Sequence, residues 1–430
     1  MYKVAGRIKK IVLQVLIKHP MHINCKAAVL IPALDEDIEM LLRPLVSLSE
    51  QQNVKPEEFE IVFIINNNKS EARKKSEVYL TNQKALKFLI FLSAQKEKIP
   101  AQYKKYKKQI LKIKDSGIHI RVIDKSYFYN ADKINNVGSA RSTGALEICR
   151  RFKAINKADS GIIIITDCDC RFSPNYIEKI ISNFKKYKLN ALCGRVDLEF
   201  GKDLPHRVLV EKAVKIHLSR GANIKHKKSG IIFQKQGSIQ KPLLKSGSNM
   251  AVSTLAYLKS GRFKSVSSFE DTDFGKRVCS LPGECAKDFG YRVYVLVRPS
   301  LRAGGASLGR RVEKIIRAVE NYKLGKSGKK LLVPDLMAAQ LFFLTLKKNI
   351  AEGNINLTEF TNLLKEFGFN PSKFQEKELW FLLDSTRKHL ESGKFSLNDR
   401  KNEHLALTAF YEHLPEFDAA LLLEKELDKQ

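Results

Sequence analysis

Apolar residues along the chain fall into short runs separated by longer amphipathic stretches. Ala28-Val29-Leu30-Ile31 is one run, stopped by Pro32. Phe59 to Ile65 reads as a second buried strand and Ile118 to Ile123 as a third, and Gly161-Ile162-Ile163-Ile164-Ile165-Thr166 is the strongest apolar run. Short continuous apolar runs of this kind mark strands buried on both faces. Between them, Glu36 to Leu48, the stretch from Ser70 onward, Gly138 to Phe152 and Pro174 to Tyr187 carry helical periodicity. The alternation predicts an α/β fold, a mostly parallel sheet flanked by helices on both faces. Such sheets take ligands outside the carboxyl ends of their strands.

The pattern changes further along. Residues 201–245 are basic; Val208 to Arg220 reads as a helix and Gly230 to Leu244 as a mobile loop. Gly325 to Lys330 (GKSGKK) reads as a linker. Beyond it, Leu336 to Ile350, Leu357 to Phe367, Gln375 to Ser392 and His404 to Leu414 read as helices, with Asn356 or Thr358 as a cap for the second. The organisation expected is a basic amphipathic segment over 1–26, an α/β domain over 27–325 and an all-helical C-terminal domain over 331–430. In the first segment Val4, Ile8, Ile11, Val12, Val15 and Leu16 recur at helical spacing among Lys3, Arg7, Lys9, Lys10 and Lys18. Two readings stand, a helix lying on an anionic membrane and a surface helix packed on the domain.

Charge sharpens this picture. The 430 residues carry 76 Lys and Arg against 46 Asp and Glu, a net of +30. Residues 331–430 hold a net of −4, so residues 1–330 hold +34. A field of that size implies polyanionic partners: nucleic acid, anionic lipid headgroups or phosphorylated substrates. No helix-turn-helix, zinc or RNP signature supports nucleic acid. No run approaches the ~18 apolar residues of a membrane span, which argues against an integral membrane protein. Seven cysteines, an odd number, make no disulfide framework and point to a reducing compartment. A cytoplasmic setting, with peripheral association at the cytoplasmic face of a membrane, is the expectation.

The chemistry concentrates in a few segments. Asp167-Cys168-Asp169-Cys170 follows the strongest strand. In an extended segment Asp167 and Asp169 point the same way, and two hard oxygen donors suit Mg²⁺ or Mn²⁺ on a diphosphate. The bland alternative is a pair of solvated turn carboxylates. Cys168 and Cys170 read as core thiols. Glu270-Asp271 opens a helix, either complementing its dipole or supplying a general base in Asp271. Upstream, Gly247-Ser248-Asn249-Met250-Ala251 is a small-residue turn suited to lining a ligand. Gly138-Ser139-Ala140-Arg141-Ser142-Thr143-Gly144 allows close approach, and Arg141 has either a phosphate or an acid as partner. Arg298, Arg302, Arg310, Arg311 and Arg317, interleaved with glycines, read as a loop folding over a diphosphate or as a solvated basic loop.

In this order the segments resemble the family 2 glycosyltransferases with the GT-A fold. The resemblance rests on Ile31-Pro32-Ala33-Leu34-Asp35-Glu36, Asn66-Asn67-Asn68-Lys69-Ser70, the Gly138/Ala140/Gly144 segment with Arg141, the Asp167/Asp169 pair, and Gly247, Asn249 and Ala251 followed by Glu270-Asp271. It covers about residues 27–315. It implies a metal-dependent, inverting transfer of a sugar from a nucleotide-diphosphate sugar to an acceptor hydroxyl on a glycan or lipid-linked acceptor. Asp271, with Glu270, would be catalytic. Pro32, Glu36, Asn66, Gly138, Arg141, Asp167, Asp169, Arg310 and Arg311 would lie on the donor side, Gly247 and Asn249 on the acceptor side, and Asp169 with Asp167 would hold Mn²⁺ or Mg²⁺. The chain departs from the family at Asn66, where an Asp is usual, and in a Lys-rich insertion around 96–114. It lacks the Q-x-x-R-W motif of processive synthases, which implies addition of one or a few sugars. A nucleotidyltransferase acting on a sugar phosphate and a non-catalytic basic binding protein for nucleic acid or anionic membrane are the alternatives.

Overall fold

The computed structural model describes residues 16–67, 69–94, 98–126, 136–205, 231–233, 247–266, 270–299 and 356–366, with isolated positions elsewhere. The strands are β1 (Ala27–Ala33), β2 (Phe59–Asn66), β3 (His119–Lys125), β4 (Ile162–Ile165), β5 (Cys170–Phe172), β6 (Leu189–Phe200), β7 (Ile231–Phe233), β8 (Met250–Ser253) and β9 (Glu284–Val297). The helices are α1 (Ile38–Ser49), α2 (Lys69–Lys74), α3 (Glu77–Ser93), α4 (Lys107–Asp115), α5 (Val137–Ala154), α6 (Tyr176–Tyr187), α7 (Thr254–Lys259), α8 (Glu270–Cys279) and α9 (Leu357–Glu366).

The four apolar runs form the parallel half of one mixed sheet, in the order β3-β2-β1-β4. Strands that the apolar pattern did not reveal extend it: β8 runs antiparallel to β4, β6 antiparallel to β8, and β9 carries β5 and β7 antiparallel. Part of the expected loop at 230–244 is thus a strand, since Ile231–Phe233 pairs with Ala286–Asp288. The rest of that stretch lies outside the described residues, as do Val208 to Arg220 apart from two positions and the linker at 325–330.

Both faces of β1, β2 and β4 are covered, which is why these strands are nearly continuously apolar; the edge strand β3 is half-buried and alternates His119, Ile120, Arg121 and Val122. Val29, Ile31, Phe63 and Ile164 face a core with Leu41, Leu45, Phe88, Leu89, Ile110 and Ile177, from α1, α3, α4 and α6. Leu30, Val62, Ile64, Ile163 and Ile165 face the other core with Ile148, Phe152, Tyr257 and Phe274, from α5, α7 and α8. Residues 16–26 are irregular, and Ile17, Met21 and Cys25 join this second core. The C-terminal half of α5 holds the segment there: Ile17 N–H donates to Glu147 Oε1 at 3.1 Å and Arg151 Nη1 to the His19 carbonyl at 2.5 Å. Residues 1–15 are outside the described set.

By its contacts the chain divides into two units, Met1–Glu199 with Lys227–Val297, and Phe200–His226 with Arg298–Gln430. In the second, α9 starts at a reciprocal cap: Glu359 N–H donates to Asn356 Oδ1 at 2.9 Å and Asn356 N–H to Glu359 Oε2 at 3.0 Å. The other helices expected in 331–430 lie outside the described residues apart from isolated positions.

Candidate functional site

The topology brings distant segments to one edge. β1, β2 and β4 are parallel, so their carboxyl ends lie side by side; Leu30 pairs with Ile165, and Thr166 N–H donates to the Leu30 carbonyl at 3.2 Å. β8 runs against β4, with Met250 opposite Ile165. The turn at Gly247–Asn249, just before β8, therefore sits at the carboxyl end of β4. Thr166 Oγ1 donates to the Ser248 carbonyl at 2.9 Å and ties the two together.

At this edge Arg141, on the first turns of α5, is buried to 3% exposure. Its Nη2 donates to Asp167 Oδ1 at 2.6 Å and to the Gly247 carbonyl at 3.2 Å, and its Nη1 donates to Glu270 Oε1. Gly247 N–H in turn donates to Asp271 Oδ2 at 2.7 Å, while Asp271 Oδ1 accepts from Thr272 N–H at 2.7 Å. Four segments more than 20 residues apart are thus linked by direct hydrogen bonds through one guanidinium and one glycine. A Cβ on Gly247 would lie 2.3 Å from Arg141 Nη1, so only glycine fits. Gly138, at the start of α5, is equally constrained: a Cβ there would lie 2.0 Å from the Lys264 carbonyl oxygen.

The electrostatics follow from burial. Desolvation alone would lower the Arg141 pKa, but Asp167, Glu270 and Asp271 together raise it, so the guanidinium stays charged. Burial pushes the Glu270 carboxyl up; Arg141 draws it down and Asp271 raises it again. Arg141 Nε is buried and has no hydrogen-bond partner among the described residues.

Asp167 and Asp169 do not lie in an extended segment. β4 ends at Ile165, and Cys168 and Asp169 form a turn closed by Cys170 N–H donating to the Asp167 carbonyl at 3.3 Å. The reason offered for their shared direction therefore does not hold. Burial, then the charges of Asp169 and Asp167, hold the Cys170 thiol well above its usual pKa. The Asp169 carbonyl is anchored by Arg43 Nε at 2.8 Å and Leu296 N–H at 3.1 Å. Cys168 and Cys170 are buried. The Asp167 side chain is 38% exposed, and its Oδ2 makes no hydrogen bond among the described residues. Asp167 and Asp169 are the carboxylates here that could contribute oxygens to a hard divalent cation, and no cluster of three or more metal-ligating side chains forms among the described residues.

The remaining predicted residues stand elsewhere. Pro32 is the penultimate residue of β1, opposite Ile64 of β2; Glu36, three residues past the end of β1, and Asn66, the last residue of β2, are buried. Asn249, expected on the acceptor side, is buried: Tyr176 Oη donates to its Oδ1 at 3.1 Å, and its Nδ2 donates to the Arg195 carbonyl at 3.0 Å. It braces the turn from inside. Arg141, expected on the donor side, and Glu270, expected to be catalytic, form a buried ion pair. Arg310 and Arg311 lie outside the described residues.

Sequence patterning missed a second polar web at this edge. Asn82, fully buried on the inner side of α3, donates from Nδ2 to the Asn66 carbonyl at 3.1 Å and to Asn67 Oδ1 at 2.6 Å. Its Oδ1 accepts from Asp35 N–H at 2.6 Å, where Asp35 has φ +56°. Asn67 Nδ2 donates to the Ser126 carbonyl at 3.1 Å. The ends of β1, β2 and β3 are thereby joined. A polar residue at an apolar-face position of α3 was the available signal.

No protein-family model and no curated protein sequence matches the chain. Among solved structures, that of S. aureus TarS 1–349 in complex with UDP-GlcNAc is 14% identical, covers 84% of this chain and 87% of that chain, and has a TM-score of 0.39. That of GalNAc-T7 with UDP, GalNAc and Mn²⁺ is 12% identical, covers 84% of this chain and 57% of that chain, and has a TM-score of 0.36. These likenesses are too slight to carry a functional argument, which rests on the residues of the chain itself.

Proposed function

We propose that the chain is a glycosyltransferase of the GT-A, family 2 kind, moving a sugar from a nucleotide-diphosphate sugar to an acceptor hydroxyl with inversion, one or a few sugars at a time, in cell-envelope or other glycan assembly. The observation that carries this reading is the hydrogen-bonded linkage of Asp167, Arg141, Gly247, Glu270 and Asp271 at the carboxyl edge of the parallel strands. An α/β sheet offers its ligand crevice at that edge.

Asp167 and Asp169 would hold Mn²⁺ or Mg²⁺. When bound, the cation offsets charge on the leaving diphosphate. Arg141 fixes one oxygen of Asp167 and leaves the other toward solvent. Gly247 N–H and Thr272 N–H each hold one oxygen of Asp271, which fixes the plane of the carboxylate and leaves lone pairs on both oxygens. In the proposed step Asp271 takes the acceptor hydroxyl proton as that oxygen bonds to the anomeric carbon from the face opposite the diphosphate. The bond from that carbon to the diphosphate oxygen breaks, and the electron pair leaves with the nucleotide. Glu270 keeps Arg141 charged and in place rather than reacting. Glu36, past the end of β1, and Asn66, at the end of β2, would lie toward the nucleoside.

General-base assistance contributes about 10²–10⁴-fold. Asp271→Asn keeps an acceptor for the Gly247 N–H but cannot take the proton. Transfer should fall by that factor while donor affinity, measured by calorimetry, stays within about twofold. Parallel loss of donor binding and turnover would remove Asp271 from the role of base.

A further inference from the structure

The outer side of the helical layer formed by α3 and α4 carries a charge that the transfer reaction does not use. Residues 84–114 hold ten lysines and one acid, Glu97. Phe88 and Phe91 of α3 pack on Tyr103 and Tyr106, with Phe88 and Tyr103 edge-to-face at 5.0 Å between ring centroids. The 3-10 turn Ala101–Tyr106 and α4 are thereby fixed against α3. Lys105 reaches Glu39 beside the start of α1 at 3.3 Å, and Lys112 pairs with Glu50 just past its end, so α4 lies along α1. Lys84, Lys87, Lys98, Lys104, Lys107 and Lys108 are exposed and form no ion pair among the described residues.

Large apolar side chains stand among these lysines. Leu80 and Ile90 are 50% and 51% exposed on α3, where they flank Lys84 and Lys87 at helical spacing, and Leu111 is 39% exposed on α4. A helical surface with exposed aliphatic residues set among lysines matches a bilayer interface, where aliphatic groups enter the acyl boundary and ammonium groups meet anionic headgroups. The same surface is poorly suited to nucleic acid. Base stacking needs exposed rings, and Phe88, Phe91, Tyr103 and Tyr106 are all buried.

We propose that the outer side of α3, the 3-10 turn and α4 is a docking face for an anionic lipid bilayer. The proposal is independent of the transferase reading, because its test needs no sugar donor. Sedimentation with phosphatidylcholine vesicles, with and without phosphatidylglycerol, at about 0.15 M salt measures it on the full chain. Binding to the anionic vesicles alone is expected. Lys84→Gln/Lys87→Gln/Lys108→Gln should weaken it by about a hundredfold, roughly fivefold per lysine. Lys153→Gln/Lys259→Gln/Lys276→Gln, which removes three exposed lysines from α5, α7 and α8 on the opposite sheet face, should weaken it far less. Ile90→Ser/Leu111→Ser should also weaken vesicle binding. Equal loss in the two lysine variants would mean a diffuse field and overturn the proposal. Equal binding to both vesicle types, or retention of single-stranded RNA in place of anionic vesicles, would overturn it too. All substituted positions are exposed, and circular dichroism checks that each variant is folded.

Discussion

Arg141 organises the site because burial leaves it few choices. A guanidinium removed from water needs carboxylates, and the carboxylates it finds come from the end of β4 and the start of α8. Gly247 is glycine because that guanidinium occupies the place of its Cβ. The residue identities were visible along the chain, but their contact was not: 129 positions separate Arg141 from Glu270, and spacing says nothing about such pairs. Arg141→Met should cost about 3–5 kcal/mol, because it leaves buried Glu270 without its partner. Chemical denaturation measures this, and Arg141→Met/Glu270→Gln should recover a large part. A single variant as stable as wild type would mean the pair is not buried as described. The cysteines behave differently. Burial pushes Cys25 and Cys149 up to about 12, so they stay protonated thiols in the folded protein at neutral pH.

At the scale of elements, β1, β2 and β4 could be read from the sequence because they are almost wholly apolar and buried on both faces, and β3 because its Ile120, Val122 and Ile123 form a β-branched core. The strands β5 to β9 could not, since they mix polar and apolar positions and pair over long range. The turn at Asp167–Cys170 was hidden for a related reason, because the apolar run gives no mark of where extension stops. Asn82 was hidden inside an apolar helix face, where its amide ties the ends of β1 and β2, and Asn67 carries the link on to β3. Asn82→Leu should destabilise by at least ~2 kcal/mol, since it strands buried Asn67 Oδ1 and Asp35 N–H. A change under 0.5 kcal/mol, roughly that of an ordinary surface substitution, would deny it that role. Helix α8 shows a second device. Lys264 donates to Asp273 Oδ1 at 2.8 Å, and Arg277 donates to Asp273 Oδ2 at 2.9 Å and to the Arg262 carbonyl at 2.5 Å, which clamps the Gly261–Val266 turn onto the helix. The Lys264 hydrogen bond is the largest cause that holds the Asp273 pKa below its ordinary 3.8, with Arg277 adding to it. A depressed carboxylate pKa contributes stability above the unfolded value and loses it as pH falls through the folded one. The contribution is therefore present above pH 3.8 and fades below it. Asp273→Asn should flatten that acid limb in pH-dependent unfolding; an unchanged limb would contradict the assignment.

At the scale of the molecule, the net +34 of residues 1–330 has two consequences in this account. An anionic donor is drawn to the strand edge where Arg141 holds the acids, and the lysines of α3 and α4 are left to an anionic surface. No helix among the described residues is long and apolar enough to cross a membrane. The central claim is that Asp167 and Asp169 receive a metal-bound diphosphate of a nucleotide sugar. Thermal shift tests it most directly, with UDP-, GDP-, CDP- and dTDP-sugars, each with and without Mn²⁺, on wild type and Asp169→Asn. A ligand that binds only the folded state raises the melting temperature, by about 2.7 kcal/mol of added stability at a hundredfold excess over its Kd. The account predicts a Mn²⁺-dependent rise with at least one donor and its loss in Asp169→Asn. A rise that is the same without metal, or that survives in Asp169→Asn, would contradict it.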